Sequence, residues 1–272
     1  GVDLTQDNAY FVRPVVNGVE GEASKPFLSR IAVQAPVRDY FEIPLKLPEA
    51  TQPGDGSVAD LDGDGEYEII VKGIQRPRDT ASTGITGNTV LQAYRVDGTL
   101  LWTIQMGKNI REGEHDTQFM VYDLDGDGRA EIAVRTADGS VDGTGKVIGD
   151  ANADWVDRNP RSRTYGKIMS GPEYFSIFDG TTGAELARAD YIPGGEPLGG
   201  WGGIGGNGGM ETTTTGNRVN RFLACVAYLD GVRPSVIMCR GYYGRSVLAA
   251  WDWRDGKLVS RWVFDSLTHP NA

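Results

Sequence analysis

Two short stretches carry residue types whose spacing suits a metal ion. Asp60-Leu61-Asp62-Gly63-Asp64-Gly65-Glu66-Tyr67-Glu68 is nearly repeated from Asp123 to Glu131. Carboxylates at the first, third and fifth positions ahead of a Gly can converge their oxygens on one hard cation, and the Gly permits the sharp turn. The candidate ligands are Asp60, Asp62, Asp64, Glu66 and Glu68 in the first loop. In the second they are Asp123, Asp125, Asp127, Arg129 and Glu131. Glu66 and Arg129 stand at the seventh position. The opening is that of an EF-hand, but Val71 and Val134 hold the twelfth position, where the closing Glu belongs. Ile69-Ile70-Val71-Lys72 and Ile132-Ala133-Val134-Arg135 follow, so a calcium loop feeding a strand is expected rather than a helix–loop–helix. The competing reading is an acidic turn without metal. Agreement of the two copies at Asp, Leu, Asp, Gly, Asp, Gly, Glu and Ile favours calcium.

The elements around these loops repeat as well. The same ruler laid from Tyr228 passes through Leu229-Asp230-Gly231 and ends at Arg240. In this third copy Tyr228, Val232 and Val236 replace Asp60, Asp64 and Glu68, so it is expected to bind no calcium. After each copy an apolar run reaches Asp-Gly and a further strand: Asp97-Gly98, Asp179-Gly180 and Asp255-Gly256. Asp-Gly between apolar runs is a hairpin signal. Several antiparallel strands per unit, with aromatics on the outer pair, is how propeller blades repeat. The second unit carries an excess from Asp138 to Gly171, read as a loop displayed on one face. A second excursion, Pro193 to Gly216 with Thr212 to Thr215, reads as a flexible connection or as a binding loop. Three blades cannot close a ring, and the chain stops where a next loop would begin, so a longer propeller protein is expected.

The remaining bounds are broad. The chain has 272 residues, with 38 Gly as expected of a turn-rich β protein, and a net charge of −10 that argues against nucleic acid. No apolar run is long enough for a membrane span. The N-terminus, Gly-Val-Asp-Leu-Thr, does not resemble a signal peptide, so an export signal would be removed or lie outside this chain. Residues 1–48 differ from the rest: Ala9 to Gly21 reads as strand, Asn17-Gly18 turn, strand, and Tyr40 to Leu45 as another extended segment. They read as the tail of a small β-sandwich of fibronectin-III type with a linker, before blades over 49–272. Cys225 and Cys239 flank a hairpin turn; a cross-strand disulfide is one reading, two buried thiols the other.

Longer runs carry a family likeness. They include Tyr10-Phe11-Val12-Arg13-Pro14, Val58 to Glu68, Thr117 to Gly128 and Thr136-Ala137-Asp138-Gly139. Others are Ser140 to Asp150, Ser170-Gly171-Pro172-Glu173-Tyr174, Arg221-Phe222-Leu223-Ala224, Tyr228 to Ser235, Arg240-Gly241-Tyr242-Tyr243 and Ala249 to Lys257. From about residue 9 to the end the chain resembles the rhamnogalacturonan lyases of polysaccharide lyase family 11. The resemblance implies an all-β fold, an eight-bladed calcium-binding β-propeller after a small β-sandwich, with three to four blades here. It also implies cleavage of the rhamnogalacturonan I backbone of pectin by calcium-assisted β-elimination, and a protein that is secreted, periplasmic or at the cell surface and monomeric at full length. Local departures are Gly73-Ile74-Gln75, Thr80 ahead of Gly84-Ile85-Thr86-Gly87-Asn88, Glu114-His115-Asp116, and Asn220. The alternatives are a non-catalytic calcium-dependent glycan-binding propeller and an inactive remnant of the lyase.

β-Elimination at a uronate needs its carboxylate neutralised, a base for the C5 proton and a proton for the departing O4. The candidates are His115, Lys72 and Arg111 for catalysis, and Arg135, Arg240, Asn88 and Lys108 for substrate. Lys72, Arg135 and Arg240 share one repeat position and are expected either to form a cationic rim or to bridge neighbouring blades. The calcium loops draw ligands from one compact turn, which favours a structural role.

Overall fold

The computed structural model describes residues 6–29, 39–195, 201, 216–242 and 244–269. The Gly-rich stretch with Thr212 to Thr215 lies outside them. The chain separates into two units, Gly1–Glu42 and Ile43–Ala272. In the first, β1 (Asn8–Tyr10), β2 (Val15–Val16), β3 (Val19–Glu20) and β4 (Phe27–Ser29) form two small antiparallel pairs, β1 with β4 and β2 with β3. The β2–β3 hairpin turns at Asn17-Gly18, both at positive φ, as the sequence predicts. Phe11, Val12 and Val16 are exposed. Tyr40 to Leu45, expected as an extended element, forms no strand with any described residue.

The second unit is all-β, and no helix occurs among the described residues. Its strands are β5 (Gln52–Ala59), β6 (Glu68–Ile74), β7 (Val90–Tyr94), β8 (Leu100–Gln105), β9 (Phe119–Tyr122) and β10 (Glu131–Ala137). They continue as β11 (Ser140–Val141), β12 (Val147–Ile148), β13 (Glu173–Phe178), β14 (Glu185–Asp190), β15 (Phe222–Ala227), β16 (Ser235–Arg240), β17 (Val247–Arg254) and β18 (Lys257–Asp265). Three antiparallel meanders result: β5-β6-β7-β8, β9-β10-β13-β14 and β15-β16-β17-β18. Each has an irregular register between its third and fourth strands, at Ala93/Tyr94, Ile177/Phe178 and Ala250/Trp251, so the sequence repeat is a repeat of structure.

Burial follows position in the sheet. β10 is buried along its whole length, because Ile132 and Val134 face the core shared with the first meander while Ala133 faces the core shared with the third. A central strand covered on both faces is apolar in its middle, and its buried polar residues, Glu131, Arg135 and Thr136, need partners. β14 alternates intermediate with exposed residues and carries Glu185, Arg188 and Asp190, charges that blunt an edge strand. Leu61 and Leu124, at the second position of the two acidic loops, plunge into these two cores at 0% and 1% exposure. Each such burial is worth about 1.5–3 kcal/mol. Trp102 ties the first meander to the second by donating Nε1–H to the Gly180 carbonyl at 2.7 Å, and Arg254 ties the third to the second through the Leu124 carbonyl at 2.8 Å.

Two connections differ from the sequence reading. The Asp138–Gly171 excursion does not simply stand out as a loop. Its first part forms the β11–β12 hairpin, and Val141 pairs with Gln105, extending the first sheet to six strands. The Asp-Gly turns also differ, since Arg254 pairs directly with Lys257 around Asp255-Gly256, whereas Asp179 closes a longer turn by accepting from Thr182.

The cysteines correct an expectation. Cys225 faces Ile237 and Cys239 faces Leu223 across the β15–β16 ladder, so they are diagonal rather than opposite. They are not two buried thiols: Cys225 is exposed, Cys239 is intermediate, and both are free. Burial pushes the Cys239 thiol up to about 11.

Candidate functional site

All the short acidic turns lie between the first and second strands of a meander, and the long connections leave from the opposite strand ends. At the acidic end the two loops wind around their first Asp. Gly63 and Gly65 donate to the Asp60 carboxylate at 2.6 and 2.8 Å, and Gly126 and Gly128 donate to that of Asp123 at 2.7 and 3.0 Å. These four glycines have positive φ, which lets the backbone curl around the carboxylate. The ninth-position Glu closes each loop from below: Glu68 accepts from Leu61 N–H and Glu131 from Leu124 N–H, both at 2.8 Å.

Carboxylate oxygens of Asp60, Asp62 and Glu68 lie within 4.8 Å of one another in the first loop, and those of Asp123, Asp125 and Asp127 do so in the second. Asp64 and Glu66 stand outside the first cluster, and Glu131 outside the second. Arg129 turns its guanidinium onto Asp127 at 2.8 Å, so only its main-chain oxygen is suited to a cation. Burial, reinforced by Asp125, Asp123 and Asp127, pushes the Glu131 carboxyl up to about 8, and Glu68 is raised by burial and its own loop's aspartates. Hard oxygens packed against like charges are what a divalent cation relieves, so the residues fit Ca²⁺. In the third copy Asp230 instead accepts from Val232 and Arg233 N–H at 2.8 and 2.7 Å and stands without a carboxylate cluster among the described residues.

The three cations of the shared repeat position do not form a rim; of the two readings, the bridging one is what the structure has. Lys72, Arg135 and Arg240 are 3%, 7% and 2% exposed. Lys72 pairs with Asp55 of the adjacent strand, and its Nζ lies 3.4 Å from the Thr117 carbonyl. Glu173 is clamped from both sides, by Arg135 at 2.9 Å and by Arg240 of the next meander at 2.6 Å. Arg240 also donates to the Val219 and Pro193 carbonyls and to Asn220, and Arg135 lies over the Phe222 ring at 4.0 Å. At this depth a cation must be paired, and the repeat position supplies inter-sheet ties.

Arg111, expected at the chemistry, is 4% exposed and holds a neighbouring loop. It donates to the carbonyls of Arg78, Asp79 and Ser82 at 3.0, 3.1 and 2.9 Å. Behind it lie two groups the sequence reading passed over, Asp116 and Lys167, each 2% exposed. Burial pushes the Asp116 carboxyl up to about 7, against the pull of Arg111 and Arg135. Burial and the nearby Arg111 guanidinium bring Lys167 down to about 8. Nothing local in the sequence marks them, since their burial comes from contacts between distant segments.

His115 and the two remaining residues stand nearer the surface. His115 is half-buried, and its carbonyl accepts from Phe222 N–H at 3.0 Å, joining the second meander to the third. Asn88 and Lys108 come together, lining a cavity of 220 Å³ with Arg158, which sequence reasoning did not single out. Lys108 and Arg158 share the Asp154 carboxylate at 3.7 and 2.8 Å.

Residues 40–272 match the family model described as the C-terminal domain of rhamnogalacturonan lyase family 11. The chain belongs to this family. It is 48% identical over 270 residues to rhamnogalacturonan endolyase YesW of Bacillus subtilis (strain 168), across 95% of this chain and 40% of that protein. To rhamnogalacturonan exolyase YesX of the same organism it is 47% identical over 273 residues, across 96% of this chain and 41% of that one. Among solved structures, the family 11 lyase of Bacillus licheniformis superposes with a TM-score of 0.78 at 46% identity, over 97% of this chain and 43% of that one. The chain thus spans about two fifths of the length of these relatives.

Proposed function

We propose that this chain is part of a rhamnogalacturonan lyase that cleaves the backbone of rhamnogalacturonan I by β-elimination, leaving unsaturated galacturonate ends. The observation that carries this reading is identity near one half along almost the whole chain to an endolyase and an exolyase. The three meanders are then consecutive blades of an eight-bladed β-propeller over 49–272, with 1–48 as sandwich tail and linker. The substrate is a plant wall polymer, and export from the cell follows from that reading.

Calcium is held by Asp60, Asp62 and Glu68, and by Asp123, Asp125 and Asp127. When bound it supplies positive charge that locks each turn to the core beneath Leu61 and Leu124, a structural service. The reacting uronate belongs at the other end. Lys108 and Arg158, which share one carboxylate, carry net positive charge to face the substrate carboxylate, and Asn88 offers an amide beside them. The C5 proton passes to a base, C4=C5 forms as the C4–O4 bond breaks, and O4 leaves with a proton. Of the base candidates, Lys72 is committed to Asp55, which leaves His115 as the remaining candidate acceptor. Arg111, with Asp116 behind it, positions the 78–82 loop.

The test is ultraviolet absorbance of the unsaturated product on rhamnogalacturonan I, with calcium and with chelator, and on homogalacturonan. A calcium-dependent rise on the first polymer alone is expected. No rise from a demonstrably folded chain refutes activity of this portion, and binding without cleavage would assign it a glycan-binding role.

A further inference from the structure

We propose that the long connection between β12 and β13 separates two adjoining sugar subsites, a cationic one for a hexuronate and an aromatic one for a 6-deoxyhexose, so that this face reads the alternation of the polymer. The inference rests on the rhamnogalacturonan reading above. Within that connection Val156 and Ile168 form an isolated antiparallel bridge, a neck that holds the excursion together. Ile168 lines both the 220 Å³ cavity of Asn88, Lys108 and Arg158 and a second cavity of 420 Å³. The two therefore meet at one residue, so that neighbouring sugars of one chain could occupy both.

Their chemistry differs in the sense the polymer requires. In the smaller cavity two exposed cations share one carboxylate, which leaves positive charge for a uronate. The larger is bordered by Trp155, Met169 and Pro172, and by the acidic Glu173 and Asp190. Asp190 disfavours a uronate there, and Arg240 at the base is buried and committed to Glu173, Asn220 and the Val219 and Pro193 carbonyls rather than open to a ligand. Trp155 is 38% exposed although it is firmly held. Its N–H donates to Asn109 at 2.8 Å and its Nε1–H to Asp138 at 3.0 Å. Gly171, at φ +107, packs so close that a Cβ there would come within 2.6 Å of the indole. A fixed indole opening into a cavity gives the methyl and C–H face of a deoxy sugar an apolar surface without ordering cost.

The 272-residue chain would be titrated calorimetrically with oligosaccharides of alternating rhamnose and galacturonate, and with galacturonate-only oligosaccharides. Trp155→Ala is expected to weaken binding of the alternating ligand about tenfold and to leave the uniform acidic ligand unchanged. Trp155→Phe should recover most of the loss, and Arg158→Gln should weaken both ligands. The proposal is overturned if Trp155→Ala binds like wild type, if it loses both ligands equally, or if wild type binds neither. Unsaturated product, followed in parallel, reports on the lyase reading separately. Product formation with unaltered Trp155→Ala binding refutes only the subsites; selective loss of binding without product refutes only the cleavage.

Discussion

The two ends of the meanders are built on opposite plans. At the acidic end each loop is a nine-residue turn whose carboxylates bind the loop's own N–H groups, with Leu61 or Leu124 anchoring it below. At the other end the groups come from far apart: Glu173 meets Arg135 and Arg240, and Lys108 meets Arg158. A local turn can be lost in one copy without harm to the others, as the third copy illustrates. A long-range cluster fails as a whole when one member is removed.

The sharpest way to break this comparison is at Glu173. Glu173→Gln leaves two buried guanidiniums without their counter-charge and is expected to cost about 3–5 kcal/mol in chemical denaturation. A loss below 1 kcal/mol would mean that Arg135 and Arg240 are satisfied by their carbonyl partners alone. At the acidic end, calcium at a hundredfold over its Kd should stabilise the chain by about 2.7 kcal/mol for each site filled. Asp60→Asn and Asp123→Asn should each remove part of that response, whereas Asp230→Ala in the third copy should leave it intact. Scanning calorimetry with and without chelator reads all three, and an Asp230→Ala loss equal to the others would erase the distinction between copies.

A pH series on the Asp116→Asn variant probes the long-range end by another route. The Asp116 carboxyl is raised from 3.8 to about 7 in the fold, so the folded state holds that proton more tightly than the unfolded chain. Its stabilising contribution is complete below about pH 4 and is lost as pH rises through about 7. Asp116→Asn should flatten that part of the stability profile, a difference on the order of 4 kcal/mol between the two pH limits. An unchanged slope would place the ionised carboxylate in a stable ion pair with Arg111. The smallest effect is expected at Trp102→Phe, which removes one buried hydrogen bond to the Gly180 carbonyl and should cost about 1 kcal/mol.

Much of this was legible in the residue string. The acidic loops, the strands after them and the third copy all showed in the sequence, because a turn's ligands and the strand it feeds are neighbours in the chain. The Asn17-Gly18 hairpin was legible for the same reason. The shared repeat position of Lys72, Arg135 and Arg240 was also visible, but its meaning was not. Whether a cation at a strand end faces solvent or a neighbouring sheet depends on packing that no local pattern encodes. Arg111 was placed at the chemistry for its charge, and burial makes it a support for the 78–82 loop.

The sequence by itself determined the family, the all-β character, the repeat and two sites whose oxygens suit calcium, since each rests on residues adjacent in the chain. Only the tertiary structure decided that Glu173 is the hub of a buried ion cluster, that Asp116 and Lys167 are both out of water, and that Trp155 and Arg158 border cavities meeting at Ile168. Those facts arise where strands and connections separated by tens of residues meet, and burial there sets both the charge state and the reach of each side chain.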